Sequence, residues 1–193
     1  MDPPDGKIPY LPGALARRRE NNKARASADP MSKCFLPGVP RGMFIAWPFQ
    51  LVQASDQLAV LSGYVRTVRH MYLKRATHLP DIEFWMGDSV ARWDGDTLVV
   101  DTADFNDQTW LDAAGNYHSG AMRVTERIAR SGPDTLSYEA TIEDPQVFAR
   151  AWTIRFPLLL HKEKNFQIME YECYAMREGP TVTAGDKPDP HRP

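Results

Sequence analysis

Residues 88–105 read DSVARWDGDTLVVDTADF. Two short runs, Asp88 to Trp93 and Thr97 to Phe105, flank the pair Asp94-Gly95. Both runs contain the β-branched and aromatic residues that favour strands, and Asp-Gly is favoured in two-residue hairpin loops, where positive φ is required. The stretch therefore predicts an antiparallel hairpin.

A period of two is present on both sides of this hairpin. It marks residues 49–54, 57–64 and 65–73 upstream, and 122–129, 135–143, 152–160 and 166–174 downstream. About nine strands with short connections favour an up-and-down antiparallel meander over parallel βαβ units. Closing such a meander removes its exposed edges, so we predict an all-β, lipocalin-like barrel with room for one ligand.

The two ends of the chain lack this pattern. Residues 1–42 are rich in Pro and polar side chains, with one helical window near 14–22, and predict an N-terminal arm that wraps the core. Residues 43–176 form the predicted barrel domain. Residues 177–193 carry no apolar pattern and predict a flexible tail.

Composition limits the classes of partner. The 193 residues are 42% hydrophobic and 25% charged, which suits one globular domain, and the formal net charge of −2 argues against nucleic acid. No Gly-rich phosphate loop is present, and we expect no cofactor. No apolar stretch approaches the roughly 20 residues of a membrane span. Taken as complete, the chain predicts a cytoplasmic protein, and a homodimer is compatible with it.

Cys34 and Cys173 lie near opposite ends of the predicted folded part. They suit a clasp between the arm and the last strand, although two buried free thiols would fit the sequence as well. A disulfide requires Cα atoms within about 7 Å. Proximity of these two residues is therefore a test of the predicted route of the arm.

Several motifs of the chain occur together in one family. They are WMGDS at 85–89, RWDGDTLVVDT at 92–102, FND at 105–107, CFLPG at 34–38 and GNYHS at 115–119. With them the chain resembles a family of uncharacterised bacterial proteins, over most of its length. Members often begin with a secretory signal, so the resemblance implies a periplasmic or secreted origin and favours the disulfide. Many carry His where Asp88 stands, which implies variable chemistry at that position.

Glu126 is the side chain hardest to explain as scaffold. In MRVTERI, residues 122–128, alternation places it on the face of Met122, Val124 and Ile128. A buried, unpaired carboxylate is costly or acquires a raised pKa, as a general acid or base at neutral pH requires. The alternatives are a buried ion pair with an inward Arg such as Arg66, or a β-bulge that turns Glu126 outward.

Three other residues are candidates for catalysis. His70 shares a predicted face with Arg66 and Tyr72, Tyr138 points inward, and His118 lies in a loop near a predicted barrel mouth. His70 and Tyr138 would equally serve as hydrogen-bonded wall residues. The remaining inward polar groups and aromatic walls predict a ligand site that includes Arg66, Tyr72, Trp85, Asp88, Trp93 and Trp152.

An acidic cluster follows the hairpin. Asp101, Asp104, Asn106, Asp107 and Asp112 offer the hard oxygen ligands that Ca²⁺ prefers. Their spacing does not match the EF-hand loop, and Asp and Asn are common in turns and caps. We therefore interpret them as turn and cap residues and expect no metal.

Three functional hypotheses follow. The first is a cofactor-independent enzyme, a lyase, isomerase or dehydratase, in which Glu126 and a His exchange protons with a small hydrophobic molecule, aromatic or terpenoid-like. The second is a non-catalytic, lipocalin-like carrier of such a molecule. The third is a structural module whose inward polar set forms a salt-bridge network. A ligand-sized pocket would favour the enzyme or the carrier over the structural module.

Overall fold

The computed structural model describes residues 2–174, which form one curled eight-stranded sheet with few helices. An all-β, barrel-like fold is thereby confirmed. The strands are β1 (Phe49–Gln53), β2 (Gln57–Ser62), β3 (Val68–Tyr72), β4 (Asp88–Asp94), β5 (Thr97–Ala103), β6 (Arg123–Gly132), β7 (Thr135–Glu143) and β8 (Trp152–Leu159).

Strand order in space follows strand order in sequence, from β1 to β8. Every neighbouring pair is antiparallel except β3 and β4, which are parallel and meet at the pair Tyr72–Val90. Residues 73–87 connect the end of β3 to the start of β4 without a tight hairpin turn, so β4 can run in the same direction as β3. Within residues 2–174, β1 and β8 are edge strands, so the sheet is a half-barrel, more open than the closed or nearly closed barrel that we predicted.

The predicted hairpin is confirmed, with its loop shifted by one residue. Asp94 pairs with Thr97, so the two loop residues are Gly95 and Asp96. Gly95 has a φ of 58°, whereas Asp96 is not left-handed. Glycine at the first central position is typical of a type II′ turn.

The predicted inward face of β3 was wrong. Arg69 and Met71 point into the core, while Val68 is 47% exposed and His70 is also exposed. Val65 and Arg66, predicted to lie in the strand, instead have left-handed φ values of 42° and 50° and form the turn that precedes it. Arg69 can face the core because Glu126 is there to pair with it, and an Arg is almost never fully buried without such a partner.

The last predicted strand, residues 166–174, is also wrong. These residues have no strand structure, and the segment is held by side-chain contacts. The Tyr171 ring packs against Trp47 with centroids 4.5 Å apart. Cys173 forms a disulfide with Cys34, with Cα atoms 5.5 Å apart, so the predicted clasp is confirmed.

The N-terminal segment contains α1 (Pro12–Lys23), α2 (Arg25–Ala28) and two 3-10 turns (Pro30–Lys33 and Arg41–Met43). Two asparagine side chains of α1 bind the loop before β6. The side-chain amide of Asn21 donates to the Gly115 carbonyl, and that of Asn22 donates to the Ala114 carbonyl. None of the helices among residues 2–174 is long and apolar enough to cross a bilayer. The predicted tail, 177–193, lies outside the described residues.

The register of the sheet defines its two faces. Val100, Glu126 and Ala140 lie side by side on β5, β6 and β7, and all three are fully buried, so this face is the core side. Asp101 and Thr125 are the next pair along and therefore face outward. Polar side chains of this part of the sheet consequently lie in two separate places, on the inner and on the outer face.

Candidate functional site

Glu126 lies at the centre of a buried polar network on the inner face of the sheet. Its side chain is 0% exposed, as the alternation in β6 predicted. Arg69 Nη1 donates to Glu126 Oε1 at 2.9 Å, and Arg69 Nη2 contacts Oε2. Tyr138 Oη donates to Oε1 at 2.7 Å. The carboxylate is therefore ion-paired, and both of its oxygens are occupied.

The rest of the Arg69 guanidinium is satisfied by hydroxyl groups. Its Nε donates to Ser89 Oγ at 3.1 Å, and its Nη2 donates to Thr102 Oγ1 at 2.8 Å. The network thus joins side chains from β3, β4, β5, β6 and β7. A buried ion pair is tolerated when hydrogen bonds satisfy its remaining donors and acceptors, and this one meets that condition.

Electrostatics inside the network favour the ion pair. Burial opposes the charge of Arg69, but the carboxylate of Glu126 outweighs burial and holds the pKa of Arg69 above its ordinary value. Burial, and after it the charge of Glu126, raises the pKa of Tyr138 well above its ordinary value. Tyr138 is therefore a permanent hydrogen-bond donor to Glu126.

Two residues predicted to join Glu126 lie elsewhere. His70 faces outward on β3, where its Nδ1 lies 3.1 Å from Gln57 Oε1. Arg66 lies in the turn before β3 and pairs with Glu170 and Glu172 at the surface. The cause is the inverted face of β3, which places Arg69 where Arg66 and His70 were expected.

His118 is buried, at 1% exposure, rather than at an open mouth. Its Nδ1 donates to the Ser119 carbonyl at 2.9 Å, so its Nε2 accepts from Thr109 Oγ1 at 2.7 Å. Burial lowers the pKa of His118 below its ordinary value. The geometry is that of a neutral histidine that fixes the loop before β6.

The predicted ligand-binding residues are dispersed. Trp85 stacks on Phe35, Trp93 is 48% exposed at the end of β4, and Trp152 is buried against Phe148. The Tyr72 ring lies under the Arg75 guanidinium, 4.3 Å away. Trp85, Trp152 and Tyr72 lie against different neighbours, and the role of all four side chains in binding stays a prediction.

Asp88 belongs to a second polar cluster, on the outer face. Arg75 contacts its Oδ1, and His78 Nδ1 lies 3.1 Å from its Oδ2. Burial opposes ionisation of Asp88, but the hydrogen bonds from Arg75 and His78 outweigh it, and its pKa is lowered. His78 and Arg75 were not singled out from sequence, since they lie in a connection without periodicity.

A cleft, which we call the seam cleft, lies between the two edge strands of the half-barrel. It has a volume of about 860 Å³ and lies between the edge strands β1 and β8, the β6–β7 turn and the segment 166–168. Arg130, Asp134 and His161 are charged or titratable groups of its lining. Its apolar lining includes Trp47, Phe49, Leu51, Leu136, Leu158 and Phe166.

Comparison with known proteins gives no further guide to the site. A scan against protein-family models, a search of curated proteins and a search of solved structures each find no match to this chain.

Proposed function

We propose that the protein binds a small, mostly apolar molecule in the seam cleft. The observation that carries the proposal is the cleft itself. Its volume of about 860 Å³ falls in the range of ligand pockets, roughly 300–1,000 Å³. Aromatic and aliphatic side chains with a few polar groups are the usual lining of such pockets.

Exposed apolar side chains at the cleft support the same proposal. Leu159, at the end of β8, is 76% exposed, and Leu160 follows it at 62%. Adjacent apolar side chains left in water around a concave site favour an apolar occupant. Arg130 and His161 offer polar contacts that would orient one end of such a molecule.

Acid–base catalysis on the bound molecule stays a prediction with less support. Glu126 does not line the seam cleft, and its oxygens are held by Arg69 and Tyr138. A reaction that used Glu126 would have to break this network first. Ligand binding without catalysis, the lipocalin-like hypothesis, needs no such rearrangement.

Binding can be tested with N-phenyl-1-naphthylamine, a neutral apolar probe whose fluorescence rises in apolar surroundings. We expect saturable binding with one probe per chain. Leu159→Asp places a charge in the cleft and should weaken the affinity roughly tenfold or more, since the lost apolar contact and carboxylate desolvation together exceed about 1.4 kcal/mol.

The matched control is Met169→Asp. Met169 is 78% exposed, close to the value for Leu159, but it does not line the cleft. Its affinity for the probe should stay within about twofold of the wild type, because surface changes away from a site have small effects. Equal weakening by both substitutions, or no saturable binding to the folded wild type, would refute the proposal.

A further inference from the structure

We propose that His78, Asp88 and Asp104 form a binding site for a divalent transition-metal ion on the outer face of the sheet. One ligand atom from each of the three side chains lies within 4.8 Å of the other two. This metal site is separate from the seam cleft and does not depend on the function proposed for that cleft.

The fold brings the three residues together from distant parts of the chain. Asp88 begins β4 and pairs with Ala103, so Asp104, the next residue, lies beside it. His78 lies in the connection 73–87, which is tied to the end of β5 by two backbone hydrogen bonds. Phe84 N donates to Asp104 O at 2.8 Å, and Asn106 N donates to Phe84 O at 3.1 Å.

The imidazole of His78 has the arrangement of a metal ligand with an outer carboxylate. Its Nε2 lies 3.0 Å from Asp101 Oδ2, and Arg123 Nη2 holds the same oxygen at 2.7 Å. Histidines that bind metals commonly donate their second ring N–H to a carboxylate, which fixes the tautomer. With Nε2 as the donor, Nδ1 carries its lone pair toward Asp88.

Asp88 is held in place by groups other than the proposed ion. Arg75 contacts Oδ1, and Leu79 N donates to Oδ2 at 3.3 Å. His78 Nδ1 and Asp88 Oδ2 are 3.1 Å apart. Two ligands of one ion, each bonded at about 2.0–2.2 Å, have a similar separation. The first two ligands are therefore already spaced for one ion.

The side chain of Asp104 gives a second, independent reason to expect a cation at this site. Its Oδ2 is buried and has no hydrogen-bond partner within residues 2–174. A buried carboxylate oxygen without a partner is unfavourable, and a cation would satisfy it. Three carboxylates, from Asp88, Asp101 and Asp104, face two guanidinium groups, from Arg75 and Arg123. With a neutral His78 the cluster keeps a net negative charge, which favours a cation.

The ligand set indicates the class of ion. One imidazole nitrogen with two carboxylates, and no thiolate, suits Mn²⁺, Fe²⁺, Co²⁺ or Zn²⁺ better than Ca²⁺ or Mg²⁺. Three protein ligands leave at least one coordination position for water. The competing arrangement is a protonated His78 that bridges Asp88 and Asp101 without a metal. That arrangement does not involve Asp104.

Isothermal titration of the tag-free, EDTA-treated chain with Zn²⁺, and separately with Mn²⁺, tests the site. We expect one ion per chain, with Asp104→Asn weakening the affinity roughly tenfold or more and His78→Gln doing likewise. Asn tolerates the left-handed φ of 58° at position 104, so this variant retains the turn. Circular dichroism checks that each variant is folded.

Asp107→Asn is the matched control. Asp107 is also an Asp with left-handed φ, 54°, three residues away, and it is not one of the three ligands. It should bind the metal as the wild type does. Equal affinities of Asp104→Asn and the wild type, or no saturable binding of either ion up to about 1 mM, would overturn the metal site and leave the protonated bridge.

Discussion

The Glu126–Arg69 pair holds two opposite charges in direct contact inside the core. Such a pair is unfavourable to bury and still more unfavourable to break, because one charge is then left alone. Its partners Tyr138, Ser89 and Thr102 complete the hydrogen bonds of both groups. The geometry therefore assigns the network a role in holding the fold.

Glu126→Gln tests this role. The substitution keeps the shape of the side chain but leaves the Arg69 charge uncompensated, so we expect the free energy of unfolding to fall by about 3–5 kcal/mol. Urea denaturation followed by Trp fluorescence measures the loss. Retained stability would instead support the catalytic hypothesis.

The control is Glu139→Gln on the neighbouring strand. Glu139 pairs with Arg155, and both side chains are partly exposed to solvent. Exposed pairs contribute little, so this change should cost less than about 1 kcal/mol. A similar loss in both variants would show that the effect at Glu126 does not come from burial of the pair.

His118 should make stability depend on pH. Its pKa is lowered in the folded protein, mainly by burial, from an ordinary value of about 6.5. Between the two values the unfolded chain binds more protons, so stability falls as the pH drops below about 6.5. In His118→Gln, the urea midpoint should fall less between pH 8 and pH 5 than in the wild type.

His70→Gln is the control for this pH series. His70 is exposed on β3, and the same substitution there should leave the pH dependence of the wild type unchanged. If His118→Gln and the wild type lose stability in parallel, the buried imidazole is not the group that senses pH.

Sequence predicted part of this chemistry at the level of single residues. The inward direction of Glu126 and Tyr138 followed from alternation in β6 and β7, where apolar neighbours define the buried face. Arg69 was missed because a buried Arg looks like a surface residue until its partner is known. His78 was missed because no periodicity fixes the direction of a side chain in residues 73–87.

At the level of elements, the β4–β5 hairpin was predictable because Gly95, which has the positive φ of a tight turn, lies between two runs rich in strand-favouring residues. β3 was not, because the turn before it uses Val65 and Arg66 in left-handed conformations that their residue types disfavour. The connection contains Gly63, but Gly63 is not one of its left-handed residues, so it does not mark where the turn lies. The observed alternation in β3 differs from the predicted one by one residue. Arg69 and Met71 therefore face the core, and His70, which was predicted to face it, lies on the opposite face.

Two glycines provide a paired test of turn and helix preferences. A Cβ added at Gly95 or at Gly13 would meet no atom within 4 Å, so neither Ala substitution causes a clash. Gly95 has a φ of 58°, and Gly95→Ala should cost roughly 1–2 kcal/mol. Gly13 lies in α1 without such a φ, and Gly13→Ala should be neutral or stabilise by up to about 1 kcal/mol.

Thermal denaturation of both variants measures this difference. The melting temperature should fall for Gly95→Ala and stay or rise for Gly13→Ala. A fall of equal size in both would show that the loss does not come from the left-handed backbone of the hairpin.

Across the whole molecule, the sheet consists of two antiparallel parts, β1–β3 and β4–β8, which meet through the pair Tyr72–Val90. Within residues 2–174, Tyr72–Val90 is the one residue pair in the register of β3 with β4. The side chain of Arg69 crosses this junction and binds Ser89 on β4, Thr102 on β5 and Glu126 on β6. The same ion pair that fills the core therefore also joins the two parts.

The Cys34–Cys173 bond spans 139 positions of sequence and turns the chain between them into a covalent ring that contains all eight strands. A closed loop of this length restricts the unfolded chain by roughly 5 kcal/mol on the loop-entropy estimate. A protease that cuts once inside the ring, for example in residues 73–87, leaves a single molecule of unchanged mass apart from one added water. The two fragments separate only after a reductant opens the ring.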